Sequence, residues 1–171
     1  TVEEVKADID EFGSYCRAIE WCADRFEGIE NYSQEEFTQL LRLIKTMCRG
    51  KRFFFDYKGD GEIVNQFLRY AMGIADYIDV NWENRELKQL VKEARRKGTK
   101  VLASYHGMDR IMRKEEVATQ FVRMEQCQAD MIEIVAFADR EEDAYALLEG
   151  ADAYNQLRGH LPSNALAMGN E

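Results

Sequence analysis

Hydrophobic and polar positions along this chain follow two periods in turn. Short runs rich in β-branched and aromatic residues fall at 15–21 (YCRAIEW), 52–55 (RFFF), 75–80 (ADYIDV), 100–105 (KVLASY), 130–135 (DMIEIV) and 164–168 (NALAM). Their length and composition are those of strands. Between them the apolar residues recur at helical spacing. The stretch 33–47 opens with Ser33 and carries Glu36 three residues on, the signature of a capping box, and then places Phe37, Leu40, Leu41 and Ile44 on one helical face. Further helices are predicted near 2–12, 62–73, 84–97, 113–127 and 140–157. Phe53, Phe55, Phe67, Tyr70, Phe121 and Met124 fall at strand or helix spacing and are read as core.

Strand and helix alternate strictly, at the spacing of a βα unit, which implies a parallel sheet with helices packed outside it. Nothing rich in Pro, Gly or Ser divides the chain, so 1–171 is expected to be one domain. Such a series either closes into a barrel or stays an open doubly wound sheet. A nucleotide-binding open sheet would carry GxGxxG or GxxxxGK[ST] after a strand. Neither occurs, and Gly59-Asp60-Gly61 reads as a turn. A barrel predicts functional side chains at the C-terminal ends of its strands.

Strand side chains alternate between faces. With Ile19 and Trp21, Phe53 and Phe55, Ile78 and Val80, Val101 and Ala103, and Ile132 and Ile134 against the helices, five strands in succession end with an ionisable group on the other face. These are Glu20, Asp56, Asp79, His106 and Glu133. A single acid at a strand end is ordinarily solvated or caps a helix. Five in a row mark a pocket, because isolated charges are costly to enclose unless paired, bound or used.

Composition narrows the class. The chain has 171 residues, 46% hydrophobic and 32% charged, with a formal net charge of −9, a globular composition. An excess of acid is repelled by phosphate, so nucleic acid is not an expected partner. No run of about 20 apolar residues is present to cross a membrane, and the first residues lack the basic and apolar regions of a signal peptide. A cytoplasmic location is expected. The four cysteines are scattered with no CxxC pair, which supports neither a zinc finger nor a disulfide scaffold.

The ordered segments Ile19-Glu20-Trp21-Cys22-Ala23-Asp24, Tyr77-Ile78-Asp79-Val80, Val101-Leu102-Ala103-Ser104-Tyr105-His106, Ala129-Asp130-Met131-Ile132-Glu133-Ile134 and Ala167-Met168-Gly169 resemble those of type I 3-dehydroquinate dehydratase, the Schiff-base enzyme of the shikimate pathway. The family's corresponding runs are E-(W/L)-R-x-D, Y-I-D-(V/I)-E, V-S-Y-H, A-D-I-V-K-(I/L)-A and S-M-G. Residues 53–61 likewise resemble its F-T-F-R-T-x-x-E-G-G segment. The resemblance covers essentially the whole chain and implies a TIM-type (β/α)8 barrel. About six βα units are present, so the first and last strands of that barrel are expected to be missing. Open sheet edges would then be covered by a second copy or another partner, with a dimer the simplest form.

Against that family pattern, the imine-forming lysine falls on Glu133, and the arginines fall on Cys22 and Asp56. The acid before the glycines is shortened to Asp60. Glu20, Asp79 and His106 match, the last at the position of the proton-transfer histidine. The resemblance thus implies His106 and Glu133 at the catalytic positions and Glu20, Cys22, Asp56, Asp60 and Asp79 at substrate-binding ones. A carboxylate cannot form an imine, and an acidic pocket should repel an anionic substrate. The leading expectation is a family member that has lost Schiff-base dehydration and serves binding, regulation or assembly with a small-molecule ligand. The resemblance implies no cofactor. The alternative is a lyase or isomerase using a divalent cation, Mg, Mn or Zn, on Glu20, Asp56, His106 and Glu133. Residual dehydratase activity is a third reading. Carboxylates so close need raised pKa values, a bound cation or a cationic ligand.

Overall fold

The structure, a computed structural model, describes residues 1–59, 61–157 and 160–169. Its elements are α1 (Val2–Phe12), β1 (Ala18–Cys22), α2 (Gln34–Met47), β2 (Arg52–Asp56), α3 (Glu62–Ala71), β3 (Tyr77–Asn81), α4 (Leu87–Arg96), β4 (Lys100–Ile111), α5 (Lys114–Met124), β5 (Met131–Phe137), α6 (Glu141–Asn155) and β6 (Ser163–Met168). The elements follow the order and spacing of the hydrophobic pattern, with differences at strand ends. The run 15–21 begins too early, because Gly13–Tyr15 is a 3-10 turn with Tyr15 88% exposed. The strand expected to end near 105 continues as β4 to Ile111 through a bulge between Gly107 and Ile111. Its polar extension carries no strand-like alternation to read.

The residues form two compact units, Thr1–Asp79 with Gln89–Lys100, and Val80–Lys88 with Val101–Glu171. In the first, β1 pairs with β2 and β2 with β3, all parallel, Trp21 standing opposite Phe55 and Phe55 opposite Ile78. In the second, β4 pairs with β5 and β5 with β6, again parallel. Parallel neighbours need a crossover, and α2, α3, α5 and α6 supply it. Among the described residues no helix is long and apolar enough to cross a membrane.

The helix-packed faces hold the core, as the alternation predicts. In the first unit Phe37, Leu41 and Ile44 of α2 are fully buried with Phe53 and Phe55 of β2. Phe37 stands 5.5 Å from Phe55 and 4.8 Å from Phe67, both edge to face, the geometry that ring quadrupoles favour. Ser33 accepts from the Glu36 backbone N–H while the Glu36 carboxylate accepts from the Ser33 backbone N–H, so the capping box forms. In the second unit Ile132 and Ile134 are fully buried, and Phe121 stacks on Tyr154 at 5.0 Å. There α5 and α6 approach so closely that a Cβ on Gly150 would lie 2.6 Å from Val117 Cβ. Gly61, at φ 79°, precedes α3 in a conformation that favours glycine.

Two acids just ahead of strands knit the strand entries together. Asp76 accepts the Phe53 backbone N–H at 2.8 Å and the Lys45 ammonium at 2.8 Å. Asp130 accepts the Val101 backbone N–H at 3.0 Å. The hydrophobic pattern puts both within strands; they lie just ahead of β3 and β5 and serve as side-chain acceptors for the neighbouring strand.

Candidate functional site at the strand ends

In the first unit the faces alternate as the pattern requires. The face away from the helices carries Phe54 and Tyr77, whose rings stack at 4.3 Å. Glu20 is level with Phe54, and Cys22 is level with Asp56. Glu20 therefore stands one inward-facing position below Asp56 and is exposed. With Cys22 and Arg25 it borders a cavity of about 290 Å³ against α1. Asp56 and Asp79 are the enclosed acids, at 4% and 5% exposure. Asp60 lies outside the described residues.

The residue that the pattern missed here is Lys58. Its Nζ lies 3.2 Å from Asp56 Oδ2, and its backbone N–H bonds Asp24 Oδ1 at 3.2 Å. Burial pushes the Asp56 carboxyl above its ordinary range, against the opposing pull of Lys58. Burial pulls Lys58 down, but the charge of Asp56 and its hydrogen bond more than offset this, and the ammonium is held above its usual value. Burial, then the charges of Asp56 and Glu20, push the Cys22 thiol up to about 11. Cys22 is consequently a neutral thiol near neutral pH, able to donate to Asp56 but poorly suited to attack an electrophile. The crowding of acids is thus met in two ways at once, by a raised carboxyl pKa and by a cation from the chain itself. Lys58 follows Asp56 by two residues but lies beyond the end of β2, where strand alternation no longer fixes its side.

In the second unit Ser104, Glu133 and Asn164 lie in one row across β4, β5 and β6. Ser104 is 1% exposed and Glu133 is half-buried. Asn164 Nδ2 donates to Glu133 Oε1 at 2.6 Å, so a neutral amide meets this carboxylate. His106 is half-buried and stands two residues further along β4, opposite Val135. Asn164 is the second functional candidate the sequence reading left out; a lone amide inside an otherwise small and apolar strand was its only mark. Neither β5 nor β6 contains a lysine.

Among the described residues, no group of three or more His, Cys, Asp or Glu side chains is placed to hold a metal ion.

These features define an α/β protein of parallel βα units with polar groups at the strand exits, and solved structures of that class match it. A type I 3-dehydroquinate dehydratase from Clostridium difficile superposes with a TM-score of 0.83 at 23% identity, covering 98% of this chain and 69% of that one. A 3-dehydroquinate dehydratase from Enterococcus faecalis gives 0.85 at 18% identity, covering 98% of this chain and 75% of that one. The fold is that of the TIM-type barrel in these enzymes, with about six units present. The family model for type I 3-dehydroquinase matches residues 1–171, and the chain belongs to that family. A 3-dehydroquinate dehydratase from Syntrophotalea carbinolica is 30% identical over 154 residues, 82% of this chain and 59% of that protein. One from Clostridioides difficile (strain 630) is 24% identical over 163 residues, 88% of this chain and 63% of that protein. The chain thus spans about three-fifths of the length of these curated relatives.

Proposed function

We propose that this chain is a type I 3-dehydroquinase relative that does not form the Schiff base and instead binds a small polar ligand at the strand exits. The observation that carries the reading is the Glu133–Asn164 hydrogen bond at 2.6 Å. It occupies the position where the family resemblance puts the amine nucleophile, and it joins an acceptor to an amide. A carboxylate has no lone pair on nitrogen with which to attack a ketone, so the carbinolamine and imine have no origin there.

Charge supports the same reading. Glu20, Asp24, Asp56 and Asp79 belong to the first unit's strand exits and their following turn, with Lys58 as the cation paired to Asp56. Lys58 is no substitute nucleophile, since an amine held above its ordinary pKa stays protonated at neutral pH. A ligand with hydrogen-bond donors or a positive group suits this surface, and a carboxylated sugar acid does not.

The test is incubation of the protein with 3-dehydroquinate and borohydride, followed by intact mass measurement, beside a turnover assay. Borohydride reduces an imine to a stable amine, so imine formation leaves a permanent adduct. The expected result is an unchanged mass and no dehydration. A substrate-derived adduct on any lysine, or turnover above the uncatalysed rate, would overturn the reading.

A further inference from the structure

Apart from the strand exits, the second unit carries a cavity of about 300 Å³ lined by Trp82, Arg85, Lys88, Arg123, Gln126 and Cys127 among others. Three cations line it and no carboxylate does, on a chain whose formal net charge is −9. Several basic side chains elsewhere are matched to acids, as in Lys45–Asp76, Arg69–Glu93 and Arg110–Glu116. Among the described residues neither Arg85 nor Arg123 makes a hydrogen bond or ion pair, and Lys88 makes no ion pair.

Cations gathered without acids repel one another. An oxyanion, which brings negative charge and only acceptors, relieves that repulsion. The apolar part of the lining points to its body. Trp82 is half-buried, and its ring is held edge to face with Tyr105 at 6.3 Å. Its indole offers a fixed surface to a flat ring, and arginine's planar fork matches phosphate or carboxylate oxygens in pairs.

We propose that this cavity is a binding site for a small organic oxyanion, a phosphate or carboxylate carried on a planar body. The oxyanion lies among Arg85, Lys88 and Arg123. The site shares no residue with the strand-exit groups and stands independently of the function proposed for them.

The experiment is titration of the whole chain with inorganic pyrophosphate and, separately, with benzoate, followed by calorimetry and by tryptophan fluorescence in a Trp21→Phe background. Saturable binding of either probe is expected, weakened at least tenfold by Arg123→Gln and by Arg85→Gln, both at exposed side chains. Pyrophosphate binding alone identifies a phosphate ligand, and benzoate binding with quenching of Trp82 identifies an aromatic carboxylate. The absence of saturable binding of both probes overturns the proposal. So does binding that both variants leave unchanged while their melting curves match the parent's.

Discussion

Asp76 and Asp56 lie in the same unit, at opposite ends of adjacent strands, and their environments have opposite effects. Asp76, at the entry of β3, is 39% exposed at its side chain and is given partners by the Phe53 N–H and the Lys45 ammonium. Burial pushes its carboxyl up, but the Lys45 and Phe53 hydrogen bonds outweigh this and hold it below its ordinary range. Asp56, at the exit of β2, is 4% exposed, and burial wins despite Lys58. An acid at the entry is ionised and supports the sheet. At the exit, burial favours the neutral form of the acid. Barrel-type folds carry stability at the strand entries and chemistry at the exits, and this pair reproduces that division.

Replacing Asp76 tests the entry side and has the largest expected effect. Asp76→Ala removes an ion pair and leaves the N–H of fully buried Phe53 without an acceptor. The expected loss is about 2–3 kcal/mol in denaturant unfolding at pH 7. Because the folded pKa is depressed, this carboxylate's stabilisation is present above the unfolded value of about 3.9 and is lost as pH falls below it. The difference between parent and variant should therefore shrink in acid; a difference constant with pH would show that charge plays no part.

Lys58→Met comes next. It removes the cation beside an enclosed carboxylate, though Lys58 itself is 52% exposed, so solvent already screens the pair. A loss of about 1–2 kcal/mol at pH 7 is expected. The double variant with Asp56→Asn should recover most of it, which a double-mutant cycle would measure. Additive losses would break the assignment of Lys58 as the counter-charge.

Asn164→Ala takes one donor from Glu133 and should cost about 1 kcal/mol by the same unfolding measurement. The smallest effect is Asp56→Asn alone, whose expected result is a gain at neutral pH of less than about 1 kcal/mol, reduced by the lost pairing with Lys58. The sign follows from linkage: a raised folded pKa means that the native state binds more protons, so stability falls as pH rises from about 3.9 through the folded pKa. The gain should vanish in acid. A loss that persists at every pH would place Asp56 with Asp76 and erase the contrast.

Much of this was legible in residue order. The α2 capping box is read directly from Ser33 and Glu36, and the buried positions of β2 and β5 from alternation, because these depend on neighbours within a turn or a strand. The strand-exit acids were legible as residues, but their states were not. Lys58 and Asn164 are not legible beside the strand-end groups, since a counter-charge two residues on and an amide on the next strand become partners only through side-chain placement and register. Register also set Glu20 one inward-facing position below Asp56 rather than beside it. Asp76 and Asp130 fall within strand-like runs because hydrophobicity does not distinguish an acid inside a strand from one that bonds the strand alongside.

By itself the sequence determined the alternation of six strands and six helices, the faces that pack together, and the family, since all three rest on periodicity and ordered motifs. Only the tertiary structure decided which carboxylates are enclosed, which are given partners, and which cations remain unmatched around Trp82. The physical reason is range. Helix and strand preference are set by groups a few residues apart, whereas burial and pairing depend on atoms brought within about 4 Å by contacts between distant parts of the chain.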